Sequence, residues 1–475
     1  MSINITRRGF LETTALTSAA FAITGCMSVT AKVPEPKKPN IIFILADDLG
    51  YGDLGCYGQT QIKTPNIDQM SAEGMRFTQH YAGSTVCAPS RCSLLTGLHT
   101  GHSYMRGNAK NFGLREDPQD IILPRLLKNA GYHTAMIGKS GVAADSQDGA
   151  FPNRKGFDHF FGFTSHWDAH YFYPEYLWRN GKKVKYPGNT KHEGPAYSST
   201  EVTKEALTYL DERSREKKPF FLHLAFQIPH VSLRAPEEYK KMYRGKFQEP
   251  EGLKISRHWS QEKEPMTTYA AMVSYMDHNV GLILRKLKDH GMDKNTLIVF
   301  SSDNGPEHTG GSNPSYFSSS GKLRGLKRDL YEGGIRVPFI ARWPGCIEKG
   351  SVSKHISAFW DFLPTCCELA SIEPPATDGI SYLPSLLGKT QKAHDYLYWE
   401  FYERGGKTAI RKGQWKLILT NLKSKKPQIA ELFDLEKDIA ETNDLSKTRP
   451  DIVKELKSKM HSSRVDNERY KLRIE

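Results

Sequence analysis

Four stretches of the chain are short, near-continuous apolar runs that each follow a breaker or a polar turn: IIFILADD at 41–48, YHTAMIGKS at 132–140, PFFLHLAFQIPH at 219–230 and TLIVFSSDNG at 296–305. A run that is apolar at every position, rather than at every second one, predicts a strand buried on both faces, as in a parallel sheet. Each run ends in polar residues, which are Asp47 and Asp48, Lys139, His230, and Asp303 with Asn304. Ligands of open α/β sheets bind beyond the C-terminal strand ends, so topology alone predicts that these side chains meet.

Helical patterns fall between the runs. LPRLLKNAG at 123–131 has leucines on one face and a terminal glycine, and residues 267–290 place Val273, Met276, Val280, Ile283, Leu284 and Leu287 at helical spacing before Gly291. That stripe reads as core and carries no chemistry. Beyond about residue 385 the texture changes to short runs with turns (YLYWEFY, TAIRKG, WKLILT, ELFDLEKD) and a lysine-rich helical segment, which predicts a small antiparallel sheet with a C-terminal helix. The expected fold is therefore α/β, a large mostly parallel sheet flanked by helices (40–385) with a smaller C-terminal domain of antiparallel sheet plus helix (386–475). A chain of 475 residues has room for both.

The N-terminus departs from this texture. Arg7-Arg8 followed by Gly-Phe-Leu, then a run of small apolar residues and Ile-Thr-Gly-Cys26, looks like a twin-arginine export signal ending in a lipoprotein processing site. Residues 1–26 are expected to be that signal and 27–39 a tether. The expected product is an exported protein of the periplasm or cell surface, delivered by the twin-arginine machinery and touching the membrane only through a lipid on Cys26. Beyond this segment no apolar run reaches the roughly 18 residues of a membrane span. Apart from Cys26 and Cys87 there are five cysteines, an odd number, so at least one buried free thiol is expected. The net charge of +13 attracts polyanions. No zinc-finger spacing or RNA-recognition signature points to nucleic acid, and a polyanionic glycan suits an exported protein better.

The stretch VCAPSRCSLLTG at 86–97 predicts a helix starting near Cys87, with Pro89 in its first turn and Arg91 one turn on, facing the same way. A helix N-terminus favours an anion. Asp47, Asp48, Asp303 and Asn304 offer only oxygen donors, which fits Ca²⁺, or less readily Mg²⁺, rather than zinc. Arg91, Lys139, His230 and Lys327 add positive charge, so a bound oxyanion, a sulfate or phosphate ester, is expected at the strand ends.

Cys87-Ala-Pro-Ser-Arg91, with SLLTG after it, resembles the signature of the type I sulfatases, in which a Cys-x-Pro-x-Arg cysteine is oxidised to formylglycine (3-oxoalanine). ADDLGYGDLGCYG (46–58), Pro229-His230, SSDNG (301–305) and LYEGGIRVP (330–338) are similar to further blocks of that family in the same order. The resemblance implies an alkaline-phosphatase-like fold, one Ca²⁺ and a formylglycine-generating maturase. It makes Asp47, Asp48, Cys87, Asp303 and Asn304 metal ligands. Arg91 orients the aldehyde hydrate, Lys139 and Lys327 hold sulfate oxygens, and His230 protonates the leaving alcohol or binds the sulfate. One hydroxyl of the hydrate, activated by a base such as Asp303, attacks the sulfur; the second then releases sulfate. Lys327 is preferred to Lys322 because it stands four residues before Tyr331 of the YEGG block.

One departure stands out. Relatives that read Gly-Lys-Trp-His at the second strand end carry a histidine which contacts the hydrate, whereas this chain reads Gly138-Lys139-Ser140-Gly141. AHYFYP at 169–174 resembles the segment that some glycine-bearing relatives carry, and His170 is expected to supply the imidazole or to contact substrate. The expected activity is hydrolysis of a sulfate ester on a sulfated polysaccharide or oligosaccharide. The alternatives are a phosphate or phosphonate ester hydrolase on the same scaffold, and a degenerate anion-binding lipoprotein.

Overall fold

The four apolar runs form the middle of one ten-stranded sheet. Asn40–Ala46 lies between Thr296–Ser302 and Phe220–Ala225, and His133–Lys139 pairs with the far side of Phe220–Ala225, all in parallel. The structure, a computed structural model, describes residues 38–108, 113–115, 120–143, 151–252 and 261–474. The expected export signal, Cys26 and residues 27–37 of the tether lie outside them.

Alternate residues of the central strand explain its unbroken apolar sequence. Ile42, Ile44 and Ala46 face one core, built with helices Ser198–Ser214 and Pro265–Asp289; Ile41, Phe43 and Leu45 face another, built with helices Cys87–Thr96, Leu123–Asn129 and Phe362–Leu369. Both faces are dry, so no polar position is tolerated until the strand ends. Val273, Met276, Val280, Ile283, Leu284 and Leu287 all enter the first core, as their spacing predicted.

The sheet is wider and more mixed than the sequence reading implied. His159–Phe163 adds a parallel strand, the hairpin of Tyr176–Arg179 and Lys182–Lys185 closes that edge, and Phe339–Arg342, Met75–Phe77 and Ser351–Ser353 extend the other. These outer strands have three to five residues, too short for a periodic signal.

Strands Leu397–Phe401, Lys407–Lys412, Trp415–Thr420 and Ile429–Asp434 form the expected antiparallel sheet, and helix Pro450–Ser462 covers one face with Ile452, Leu456 and Met460. The other face carries Trp399, Phe401, Ile418 and Phe433, which pack on Tyr81, Val86, Leu330 and Trp360 of the larger part. The boundary expected at 385/386 thus separates two sheets that share a core, and from Lys38 onward the chain is one compact unit. No disulfide links the described cysteines, and Cys92, Cys366 and Cys367 are buried thiols.

A buried ion cluster crosses the same interface. Lys416 Nζ lies 2.8 Å from Glu332 Oε1 and 2.9 Å from Glu441 Oε1, with all three side chains out of contact with water. Glu332 also accepts from Tyr81 and Arg336. Removing the lysine leaves two buried carboxylates without their cation, so Lys416→Met is expected to lower unfolding free energy by about 3–5 kcal/mol, measured by denaturant titration.

Candidate active site

The C-terminal ends of the central strands deliver their polar residues to one buried place. Asp47 directly follows its strand and donates its N–H to Ile228 O at 3.0 Å; Asp303 donates its N–H to Ala46 O at 3.2 Å. Asp48 takes a left-handed backbone, φ 64°, a conformation that aspartate visits more readily than most residues. This turn sets its N–H 3.2 Å from Asp303 Oδ1, and Asn304 Nδ2 donates to Asp48 Oδ1 at 2.8 Å.

Cys87 is the first residue of the ten-residue helix Cys87–Thr96, entered from an extended Val86, and Pro89 sits in its first turn. Arg91, one turn on, is fully buried. Its Nε and Nη2 reach Asp303 Oδ2 at 2.9 and 2.8 Å, and Nη1 donates to Lys139 O at 2.9 Å. Lys327 Nζ lies 2.7 Å from the Asp48 carboxylate and 3.6 Å from Cys87 Sγ. Lys139 Nζ donates to Asp47 Oδ2, and His230 Nε2 stands 3.4 Å from Asp48 Oδ2. One potential ligand atom from each of Asp47, Asp48, Cys87 and His230 lies within 4.8 Å of the others.

The charges balance through these contacts. Burial alone would raise the Asp47 carboxyl, but Lys139, His230, Arg91 and Lys327 together hold it well below the usual range. Burial, with Asp47 beside it, pushes Asp303 up to about 7 against the pull of Arg91. Burial raises the Cys87 thiol to about 12, despite Lys139 and Lys327, so it is no ready thiolate nucleophile. His230 falls to about 4, chiefly through burial. Its Nδ1 contacts the Val231 carbonyl, which leaves Nε2 as the atom that exchanges a proton.

Two oxygens single out a place for a cation. Asp47 Oδ1 and Asn304 Oδ1 are buried without a hydrogen-bond partner among the described residues, a costly state that a hard cation relieves. The donor set is oxygen-rich and carries three carboxylates. These residues fit a divalent metal ion.

All ten residues singled out in the sequence come to this region. His170, on the short turn Asp168–His170, stacks its ring on His230 with centroids 4.2 Å apart and planes 1° from parallel. Gly141 has φ 69°, and a Cβ there would stand 2.4 Å from Arg91 Cδ. A histidine at 141 is thus sterically incompatible with the present position of Arg91, and the imidazole next to His230 comes from the Asp168–His170 turn instead.

Sequence reasoning missed Glu307 and Arg328, which line a cavity of about 660 Å³ together with His166, Trp167, His170, His230 and Lys327. His166 stands four residues before His170 and its ring meets that of His170 edge-on at 5.2 Å. Glu307 and Arg328 adjoin the recognised blocks without belonging to them.

Comparison with known proteins agrees with this geometry. The family model Sulfatase matches residues 39–372, and the model for the C-terminal part of N-sulphoglucosamine sulphohydrolase matches residues 326–466. The N-acetylgalactosamine-6-sulfatase of Rattus norvegicus is 33% identical over 410 residues, spanning 81% of this chain and 72% of that protein. The N-acetylgalactosamine-6-O-sulfatase of Bacteroides thetaiotaomicron is 28% identical over 93% of this chain and 96% of its own. The solved structure of Ps i-CgsB in complex with k-i-k-neocarrahexaose has a TM-score of 0.77 at 29% identity, over 92% of this chain and 95% of that one.

Gly141 offers a direct check of the local packing. Gly141→Ala puts a side chain in a left-handed conformation, which costs about 1–2 kcal/mol, and displaces the arginine that holds Asp303. The variant is expected to melt a few degrees lower and to lose at least about tenfold in kcat, read by thermal denaturation and steady-state hydrolysis.

Proposed function

Because this chain belongs to the sulfatase family, we propose that it hydrolyses a sulfate ester of a sulfated sugar, with a formylglycine made from Cys87 and a calcium ion beside it. Its class, a sulfuric ester hydrolase, follows from the family. The observation that carries the finer reading is the convergence at residue 87: a buried side chain at a helix N-terminus, 3.6 Å from Lys327, whose sulfur lies with ligand atoms of Asp47, Asp48 and His230 all within 4.8 Å of one another.

Asp47, Asp48, Asp303, Asn304 and residue 87 would hold the cation, which supplies a Lewis acid, while the hydrated aldehyde at 87 supplies the nucleophile. The protein's own side chains do the rest. Arg91 fixes Asp303 and spans the first helical turn, so the base and the group at 87 keep one spacing. Lys139 and Lys327 bring ammonium groups to the strand ends, where sulfate oxygens gain negative charge as the ester bond breaks. His230 Nε2 carries the proton for the departing sugar oxygen. His170 packs on the His230 ring and restricts its orientation.

A sugar substrate is supported by the names of the relatives, two of which are N-acetylgalactosamine sulfatases. The net charge of +13 also favours encounter with a polyanion. The N-terminal sequence supports an exported, lipid-anchored protein, and the Cys87-Ala-Pro-Ser-Arg91 signature supports a maturase that oxidises position 87.

Three outcomes test the reading. Protein made with a formylglycine-generating maturase is expected to carry an aldehyde at 87, seen by peptide mass, and to release sulfate from members of a sulfated-oligosaccharide panel; Cys87→Ala loses at least about a thousandfold. Nitrophenyl sulfate is expected to turn over faster than nitrophenyl phosphate, and the reverse order favours the phosphate-ester alternative. Calcium is expected to raise the melting temperature of the chelator-treated protein, by binding the native state alone, but not that of Asp47→Ala.

A further inference from the structure

Arg328 follows the proposed sulfate-binding Lys327 with a left-handed backbone, φ 76°, a conformation that a residue other than glycine keeps only where its surroundings enforce it. The Arg328 N–H donates to Thr85 O at 3.0 Å, and its carbonyl accepts from Lys407 Nζ of the C-terminal sheet at 3.2 Å. The side chain so presented lines the cavity beside Lys327 and is about a quarter exposed. Glu307 fixes one end of it. Its Oε2 accepts from Arg328 Nη1, and its Oε1 accepts from the His308 and Thr309 N–H groups and the Thr309 hydroxyl. Among the described residues no group accepts from Arg328 Nε or Nη2, so the side-on edge of the guanidinium keeps two donors for a ligand.

An acceptor enters the same wall from the C-terminal sheet. The loop between strands Leu397–Phe401 and Lys407–Lys412 carries Glu403 into the cavity. It is a tight loop, with φ of 51°, 89° and 76° at Arg404, Gly405 and Gly406, and it is anchored by Lys423 N–H on Gly405 O at 2.8 Å and Leu422 N–H on Gly406 O at 3.1 Å. The Glu403 carboxylate makes no hydrogen bond or ion pair among the described residues. It acts on Arg328 through its charge, without contact.

Two open donors and an open carboxylate in one wall suit a group that both accepts and donates. A hydroxyl does both, whereas a carboxylate or sulfate only accepts and an ammonium only donates. We propose that Arg328 and Glu403 are specificity-determining residues that read a ring hydroxyl of the sugar bearing the scissile sulfate, the arginine donating to the hydroxyl oxygen and the glutamate accepting the hydroxyl proton. This rests on the sulfatase reading above and adds how its sugar is recognised. The position of Lys327, one residue from Arg328 and at the sulfate end, places the hydroxyl on the sulfated ring rather than on a distant unit. Glu307 compensates the charge of Arg328, so the ring is selected by the direction of its hydrogen bonds. A site built in this way discriminates strongly against an analogue that lacks the hydroxyl.

The test uses the full-length, matured enzyme on N-acetylgalactosamine 6-sulfate, or on whichever sugar of the sulfated-oligosaccharide panel is cleaved faster, with analogues of that sugar lacking one ring hydroxyl at a time. Asparagine enters a left-handed backbone readily, so Arg328→Asn removes the guanidinium and spares the turn. It is expected to lower kcat/KM for the intact sugar at least about tenfold, and Glu403→Gln at least about threefold, while Ki for inorganic sulfate stays within about twofold. Loss of the hydroxyl that is read is expected to cost the wild type at least about tenfold and either variant no more than about threefold, as groups in contact are non-additive. If Arg328→Asn does not fold, the Glu403→Gln arm decides alone. An undiminished kcat/KM in either variant, a Ki for sulfate that rises in step with the loss, or a variant that pays the full cost of the missing hydroxyl overturns this inference while the release of sulfate upholds the activity. Sulfate from the nitrophenyl ester but from no sugar does the same. No sulfate from any sugar or nitrophenyl ester, with the aldehyde verified at 87, overturns the activity and this inference together.

Discussion

Three carboxylates buried within a few ångströms of one another set the central constraint on this protein. Asp47, Asp48 and Asp303 leave adjacent parallel strands at the same level and repel one another in a medium that screens little. The fold answers with three cationic side chains drawn from three different segments, Arg91 from a helix, Lys139 from a strand end and Lys327 from a loop, and sets the His230 ring beside Asp48. Charge compensation and reactivity are therefore one design. In the proposed function, the groups that make the carboxylates tolerable are those that an anionic ester would meet.

The same logic recurs at the interface between the two sheets. Lys416 sits between Glu332 and Glu441, and Glu332 belongs to the YEGG block that lies just after Lys327. The small C-terminal sheet thus reaches the chemistry without holding it, through Lys407 on the Arg328 carbonyl, Glu403 in the cavity wall and Trp399 Nε1 on the Ala82 carbonyl at 2.9 Å.

The central strands and the buried cluster were legible in the sequence because their physics is local and strong. A strand covered on both faces has to be apolar throughout, and the abrupt polar residues at its end mark the ligand edge. The short helix at Cys87 was legible through Pro89 and the spacing to Arg91. The outer strands were not, since Met75–Phe77 or Ser351–Ser353 gains its pairing from neighbours distant in sequence. The cavity wall was equally hidden. Glu307 and Arg328 carry no pattern of their own, and the left-handed turn at Arg328 is held by Thr85 and Lys407, more than 200 and nearly 80 positions away. The glycine at 141 read as a missing residue in sequence; in three dimensions it is the space that Arg91 needs.

The packing of Val86 against Trp399 and Phe433 has a temporal side. Residue 87 leaves the ribosome some three hundred residues ahead of the strands that cover its neighbour, a delay on the order of 15–60 s at ordinary elongation rates. Throughout that interval the cysteine belongs to an unfinished polypeptide. Translation speed thus sets how long the thiol stays open to chemistry that the completed fold would shut out.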